Sequence, residues 1–194
     1  MLMSLDKRFI FIHVPKAAGT SVEDAFRSFE APSTRHIFDW HCLARDLKKV
    51  IQNWNDYFRF AFVRNPWDAQ VSMYCYIMGT GSTHPEWEAV NQYRDFNDYV
   101  VKHLNSAQEK GTLRTQCDFL LDEADLCLMT YVGRYERLSE DFARICRELS
   151  LGPCSLPHLN KANRTDYRDY YNNSTRDAVA NIFRRDIETF GYQF

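Results

Sequence analysis

Two runs of the chain are apolar almost without interruption, and each ends in a polar turn that opens a helical pattern. Residues 9–14 (FIFIHV) stop at Pro15, and residues 58–64 (FRFAFVR) stop at Asn65 and Pro66. Continuous apolar runs of this length read as strands buried on both faces, as in a parallel sheet. After the first run, Val22, Ala25, Phe26 and Phe29 recur at helical spacing. Thr20 and Ser21 are placed to cap that helix, and Glu23 and Asp24 suit its first turn. After the second run, Asn65 is an N-cap residue and Pro66 an N1 residue. Trp67, Val71, Tyr74, Cys75 and Met78 give the following helix its apolar face.

Further along, residues 42–54, 96–104, 138–149 and 178–190 read as helices and residues 126–135 as holding a strand. Residues 79–85 (GTGSTHP) read as a turn and residues 150–171 as a polar loop. Strands alternating with helices predict an α/β fold, with helices flanking a central, largely parallel sheet. Ligands of such sheets bind at the carboxyl ends of the strands, which is where both polar turns fall.

Length and composition narrow the class. The chain has 194 residues, 45% of them hydrophobic and 15% aromatic, which fits one domain over residues 1–194 with a real core rather than disorder. A net charge of −2 argues against a broad basic surface for duplex nucleic acid or a long polyanion. None of the six cysteines forms a C-x-x-C pair, which disfavours a zinc ribbon and a thioredoxin-like motif and suggests reduced, structural thiols. The leading apolar run is too short for a signal-peptide core with its cleavage site or for a membrane span, and no later run spans one. A cytoplasmic protein without a transmembrane segment is the expectation.

The turn after the first strand is PKAAGTS, residues 15–21. Its small residues let backbone N–H groups approach an anion, the helix N-terminus adds partial positive charge, and Lys16 adds a full one. Thr20 and Ser21 add hydroxyl donors. The lysine precedes Gly19, so this is neither a Walker A loop nor a dinucleotide fingerprint. A strand–turn–helix junction with a solvated lysine is the plainer alternative. In the second motif, FVRNPWDAQVS at residues 62–72, Arg64 sits at a strand end where its planar fork suits a phosphate. Ser72 lies two turns into the helix. The plainer alternative pairs Arg64 with Asp68. Two anion sites on two strand ends suit a ligand with phosphate groups at both its 5′ and 3′ positions.

At these residues the chain resembles the sulfotransferases that use 3′-phosphoadenosine 5′-phosphosulfate (PAPS), in their carbohydrate-type, family 2-like form. PKAAGTS resembles their 5′-phosphosulfate loop and FVRNPWDAQVSMY their 3′-phosphate motif. VGRYERLSEDF at 132–142, LPHLNKANRTDY at 156–167 and FRRDIETFGYQF at 183–194 continue the resemblance in order. It implies a P-loop-like three-layer fold and transfer of a sulfuryl group from PAPS to an acceptor hydroxyl, on a carbohydrate, with PAP (adenosine 3′,5′-bisphosphate) as the product. It implies that Lys16, Ala17, Ala18, Gly19, Thr20 and Ser21 hold the 5′ end of the donor and that Arg64 and Ser72 hold its 3′-phosphate. Asn160, Lys161 and Arg164 would close over the nucleotide.

The chemistry of sulfuryl transfer requires no metal. Lys16 is the candidate for stabilising the departing phosphate oxygen, and the acceptor hydroxyl needs a base. In family 2-like enzymes a histidine precedes the helix leading into the 3′-phosphate strand, and DWHCLARDLKKVI places His41 there. His36 and Asp39 are the alternatives. His13 reads as a core or pocket residue. The aromatic residues 74–93 are either a sugar platform or core, and the Arg and Tyr cluster at 164–171 either grips an acidic acceptor or is solvated. Two rivals remain: a non-catalytic nucleotide-binding module of the same fold, and an ATP-dependent P-loop kinase.

Overall fold

The computed structural model describes residues 1–27, 34–36, 41–152, 156 and 164–194. In chain order the elements begin with β1 (Leu2–Ser4), β2 (Phe9–Ile12), α1 (Gly19–Arg27), β3 (Thr34–His36), α2 (Ala44–Val50) and β4 (Phe58–Val63). Next come the helices α3 (Pro66–Thr80), α4 (Trp87–Asn91), α5 (Phe96–Asp98), α6 (Asn105–Glu109) and α7 (Gln116–Leu120). The chain closes with β5 (Tyr131–Arg134), α8 (Leu138–Glu148), α9 (Asn173–Ile182) and α10 (Arg184–Phe190). They form two compact units, Met1–Arg64 with Gln116–Asn160 and Asn65–Thr115 with Lys161–Phe194.

The first unit carries the sheet, ordered β3-β1-β2-β4-β5. β2, β4 and β5 run parallel, and β1 pairs antiparallel with both β2 and β3. The expected α/β fold with helices flanking a mostly parallel open sheet is what the chain adopts. All four residues of β2 and the last four of β4 are buried, which explains why the two strands read as apolar runs interrupted only at Arg59. Alternation along the strands turns Phe9, Phe11 and Phe60 to one face. There the ring of Phe11 stacks on Phe60 at 5.1 Å, and Phe26 of α1 meets Phe9 at 4.8 Å and Phe142 of α8 at 5.5 Å. Phe62 is in register with Gly133 of β5. A Cβ on Gly133 would come within 2.6 Å of that phenyl ring and 3.2 Å of the Asp141 Cβ, so the strand needs glycine for close approach. Asp141, buried on α8, accepts hydrogen bonds from the Tyr131 hydroxyl at 2.8 Å and the Arg134 N–H at 2.7 Å, tying helix to strand.

The second unit is helical. Trp67 and Val71 of α3 are buried with Phe96, Tyr99, Val179 and Phe183, and Tyr74, Cys75 and Met78 pack partly buried against them. The Asn65 side chain accepts from the Trp67 N–H at 3.1 Å, with Pro66 at the first helical position, as the sequence predicts. The Trp67 indole donates to the Arg176 carbonyl at 2.9 Å and the Tyr171 hydroxyl to the Trp67 carbonyl at 2.9 Å. Tyr99–Leu104 winds as a π-helix between α5 and α6.

Several boundaries differ from expectation. α1 begins at Gly19, so Thr20 and Ser21 lie inside its first turn rather than capping it, and Glu23 lies past that turn. α2 spans Ala44–Val50, not residues 42–54. α3 continues through Gly79 to Thr80. The closing helix is two helices that break at Phe183. Five cysteines (42, 75, 117, 127 and 146) are free thiols, and Cys154 lies outside the described residues. Among the described residues, no helix is long and apolar enough to cross a membrane.

Candidate active site

The loop after β2 has an unusual backbone. The Ala17 N–H returns to the Val14 carbonyl at 3.4 Å, and the Val22 N–H takes the Ala18 carbonyl at 3.1 Å as α1 starts. Between these bonds, Lys16 and Ala18 have φ of 60° and 67°, a left-handed conformation that disfavours residues with a Cβ. Such alternation turns successive N–H groups toward one concave side, which together with the helix N-terminus suits an anion. Non-glycine residues hold this shape only where the surroundings impose it. Part of that imposition is visible at Gly19, where a Cβ would lie 2.1 Å from the His13 ring. Lys16 and Ala18 are half-buried, Thr20 is exposed, and Ala17 and Ser21 are buried.

Arg64 follows β4 directly and is 6% exposed. Its Nη1 donates to the Lys16 carbonyl at 3.0 Å, and its guanidinium lies 3.7 Å from the centre of the Tyr135 ring. Its backbone is held as well. The Gln116 Oε1 accepts from the Arg64 N–H, and the Gln116 Nε2 donates to the Arg64 carbonyl, both at 2.8 Å. The two sequence motifs therefore meet, through Arg64 and the Lys16 carbonyl. Buried β4 and β2 run side by side, so their carboxyl ends open onto the same edge of the sheet.

His41 stands ahead of α2. Its Nδ1 lies 3.2 Å from the His13 carbonyl oxygen. That oxygen can only accept, so Nδ1 carries the proton and the neutral ring keeps its lone pair on Nε2. One side of the ring is packed, edge-on to His13 at 4.9 Å and to Phe119 at 6.4 Å, while the residue as a whole remains accessible to solvent. Burial of the packed side is the largest cause and lowers its pKa from 6.5, outweighing the hydrogen bond to the His13 carbonyl, which acts to raise it. His41 is thus held in the neutral form that can take a proton. Beneath it, the His13 Nδ1 meets the Glu23 Oε1 at 3.1 Å, with the two residues 6% and 1% exposed.

The remaining sequence-derived candidates belong to the second unit or lie outside the described residues. Ser72 lies within α3 in the second unit. Arg164, in the same unit, is paired with Asp68 in the first turn of α3. Asn160, Lys161, Asp39 and the side chain of His36 lie outside the described residues. The aromatic stretch 74–93 contributes largely to the core of the second unit: Tyr74 packs on Phe96 and Tyr99, at 5.5 and 5.4 Å, and Trp87 lies partly buried against the same cluster. In the 164–171 cluster, Tyr171 caps Trp67 and Arg168 pairs with Asp166. Three residues of the site have roles that the sequence does not reveal, although Tyr135 lies within the 132–142 stretch and Glu23 within the helical pattern after the first strand. Gln116, Tyr135 and Glu23 act on partners brought close only by folding, Gln116 being 52 residues from Arg64. Among the described residues, no group of three or more His, Cys, Asp or Glu could hold a metal.

The mostly parallel α/β sheet, with a strand–turn–helix loop after β2 and an arginine directly after the neighbouring parallel β4, is a sulfotransferase-type arrangement. The sequence matches the model of the sulfotransferase family over residues 1–193, and the chain belongs to that family, in its family 2-like form. Sulfuryl transfer to a hydroxyl-bearing acceptor is its general chemistry. No curated protein matches the sequence.

Proposed function

We propose that the protein transfers a sulfuryl group from PAPS to a hydroxyl of a carbohydrate by in-line displacement. One observation carries the reading: the buried Arg64 bonds the carbonyl of Lys16, so the two motifs that resemble the 5′ and 3′ phosphate sites of such enzymes adjoin. The residues suit a doubly anionic donor. The loop 16–21 offers left-handed backbone, a glycine whose Cβ would strike His13, and a lysine. Arg64 offers a guanidinium oriented by the Tyr135 ring.

Bound PAPS supplies an activated sulfuryl group and leaves as PAP. Lys16 and the loop N–H groups stabilise negative charge that develops on the departing phosphate oxygen. His41, neutral and protonated on Nδ1, takes the acceptor hydroxyl proton on Nε2. Arg64 holds the 3′-phosphate. The protein groups meet the charge of the reaction themselves, so turnover needs no metal ion. The carbohydrate acceptor is supported by the family 2-like form of the 3′-phosphate motif.

The test is transfer of labelled sulfate from PAPS into a panel of glycans and small alcohols, with His41→Ala as control. The expected outcome is labelled glycan, with turnover reduced about 100-fold or more in His41→Ala and PAP affinity nearly unchanged. Label in no acceptor, despite PAP binding, would instead favour a non-catalytic nucleotide-binding module. Wild-type turnover in His41→Ala would remove His41 from the role of base.

A further inference from the structure

His13 makes three contacts that bear on the site. Its ring lies against the Cα of Gly19, leaving no room for a Cβ there. Its Nδ1 faces the Glu23 carboxylate at 3.1 Å, one turn into the helix that the same glycine opens. Its carbonyl receives the Nδ1 of His41 at 3.2 Å, and its ring meets the His41 ring edge-on at 4.9 Å. The loop, the helix behind it and the candidate base therefore share one buried side chain.

The orientation of that ring is fixed chemically. A carboxylate only accepts, so His13 presents Nδ1–H to Glu23. Glu23 is 1% exposed, and a buried carboxylate is retained at such a cost in desolvation only with partners. The imidazole cannot flip without taking its N–H from the carboxylate. It cannot swing away without vacating the face of Gly19.

We propose that His13, locked by Glu23, is a positioning residue that sets the orientation and tautomer of His41. The proposal rests on the reading of His41 as the base. His13 is buried and acts through His41. It fixes the carbonyl that selects the His41 tautomer, so the lone pair of the neutral ring stays on Nε2.

The test uses His13→Phe, which keeps a ring against Gly19 but cannot bond Glu23, and Glu23→Leu, which breaks the same bond from the other side should the first variant fail to fold. Either is expected to lower kcat about 10- to 100-fold, the scale of a misoriented catalytic group, with KM for PAPS and PAP affinity within about threefold of wild type on the same argument. Added to His41→Ala, either should lower turnover no further, because it acts through His41. Losses that multiply with that of His41→Ala, or PAP affinity that falls in step with turnover, would overturn the proposal. A second readout does not depend on the base assignment. Imidazole 15N NMR should show His41 as the Nδ1–H tautomer in the wild type and as a mixture in His13→Phe or Glu23→Leu. An unchanged tautomer in those variants overturns the positioning role, whereas wild-type turnover in His41→Ala with a redistributed tautomer keeps that role and removes only the base assignment.

Discussion

Arg64 is held from several directions. Gln116 fixes its peptide groups, the Lys16 carbonyl fixes Nη1, and the Tyr135 ring fixes the plane of the guanidinium. Lysine retains the charge but loses the fork and the stacking. Arg64→Lys should therefore weaken PAP binding by about 10- to 100-fold, measurable by calorimetry. His41 leads to a prediction about pH. Its lowered pKa means that the ring stays neutral to a pH below its ordinary 6.5. The acid limb of kcat/KM should fall below that value, and a limb centred above it would count against His41. The same shift ties stability to pH. The contribution is complete above pH 6.5 and is lost as pH falls toward the depressed folded value, because the unfolded chain then binds the proton first. Lys16 and Arg64 were legible in the sequence because each sits within a local strand–turn pattern. Gln116 and Tyr135 were not, because their roles exist only once distant segments meet.

At the scale of elements, the close approach of β4 and β5 has the most direct consequence. Gly133→Ala would push a methyl group into the Phe62 ring and against Asp141, costing about 1–3 kcal/mol as overpacking does. Urea denaturation should show a lower midpoint with little change in slope. β2 and β4 were readable because burial on both faces leaves a run of apolar residues. β1 and β3 were not, since three residues each carry no period, and their pairing with the sheet comes from the partner strand. The break at Phe183 was missed because the residues on either side continue the helical pattern. The capping box of Asn172 and Thr175 marks the true start of α9, earlier than the apolar periodicity suggests.

At the scale of the whole molecule, the alternating strands and helices predict the α/β class and the family match covers residues 1–193, so class and chemistry were legible early. The acceptor was not, since the aromatic residues considered for it are largely taken up by a core, as Tyr74 is. A ligand that binds only the folded state stabilises the whole chain by about 2.7 kcal/mol at a hundred times its Kd. PAP should accordingly raise the melting temperature, and ATP with magnesium should raise it less. The reverse order would favour the kinase reading. Lys16→Ala should diminish the PAP-induced rise.

The clamp on Arg64 has one more consequence. Its backbone N–H lies just past the last residue of β4, where a strand end would ordinarily fray. Here Gln116 holds that N–H in a buried bond. In hydrogen–deuterium exchange, the Arg64 amide should therefore be protected like the strand interior, and Gln116→Leu should return it to the fast-exchanging class. The slow amide would report, residue by residue, that the arginine is fixed before any donor arrives.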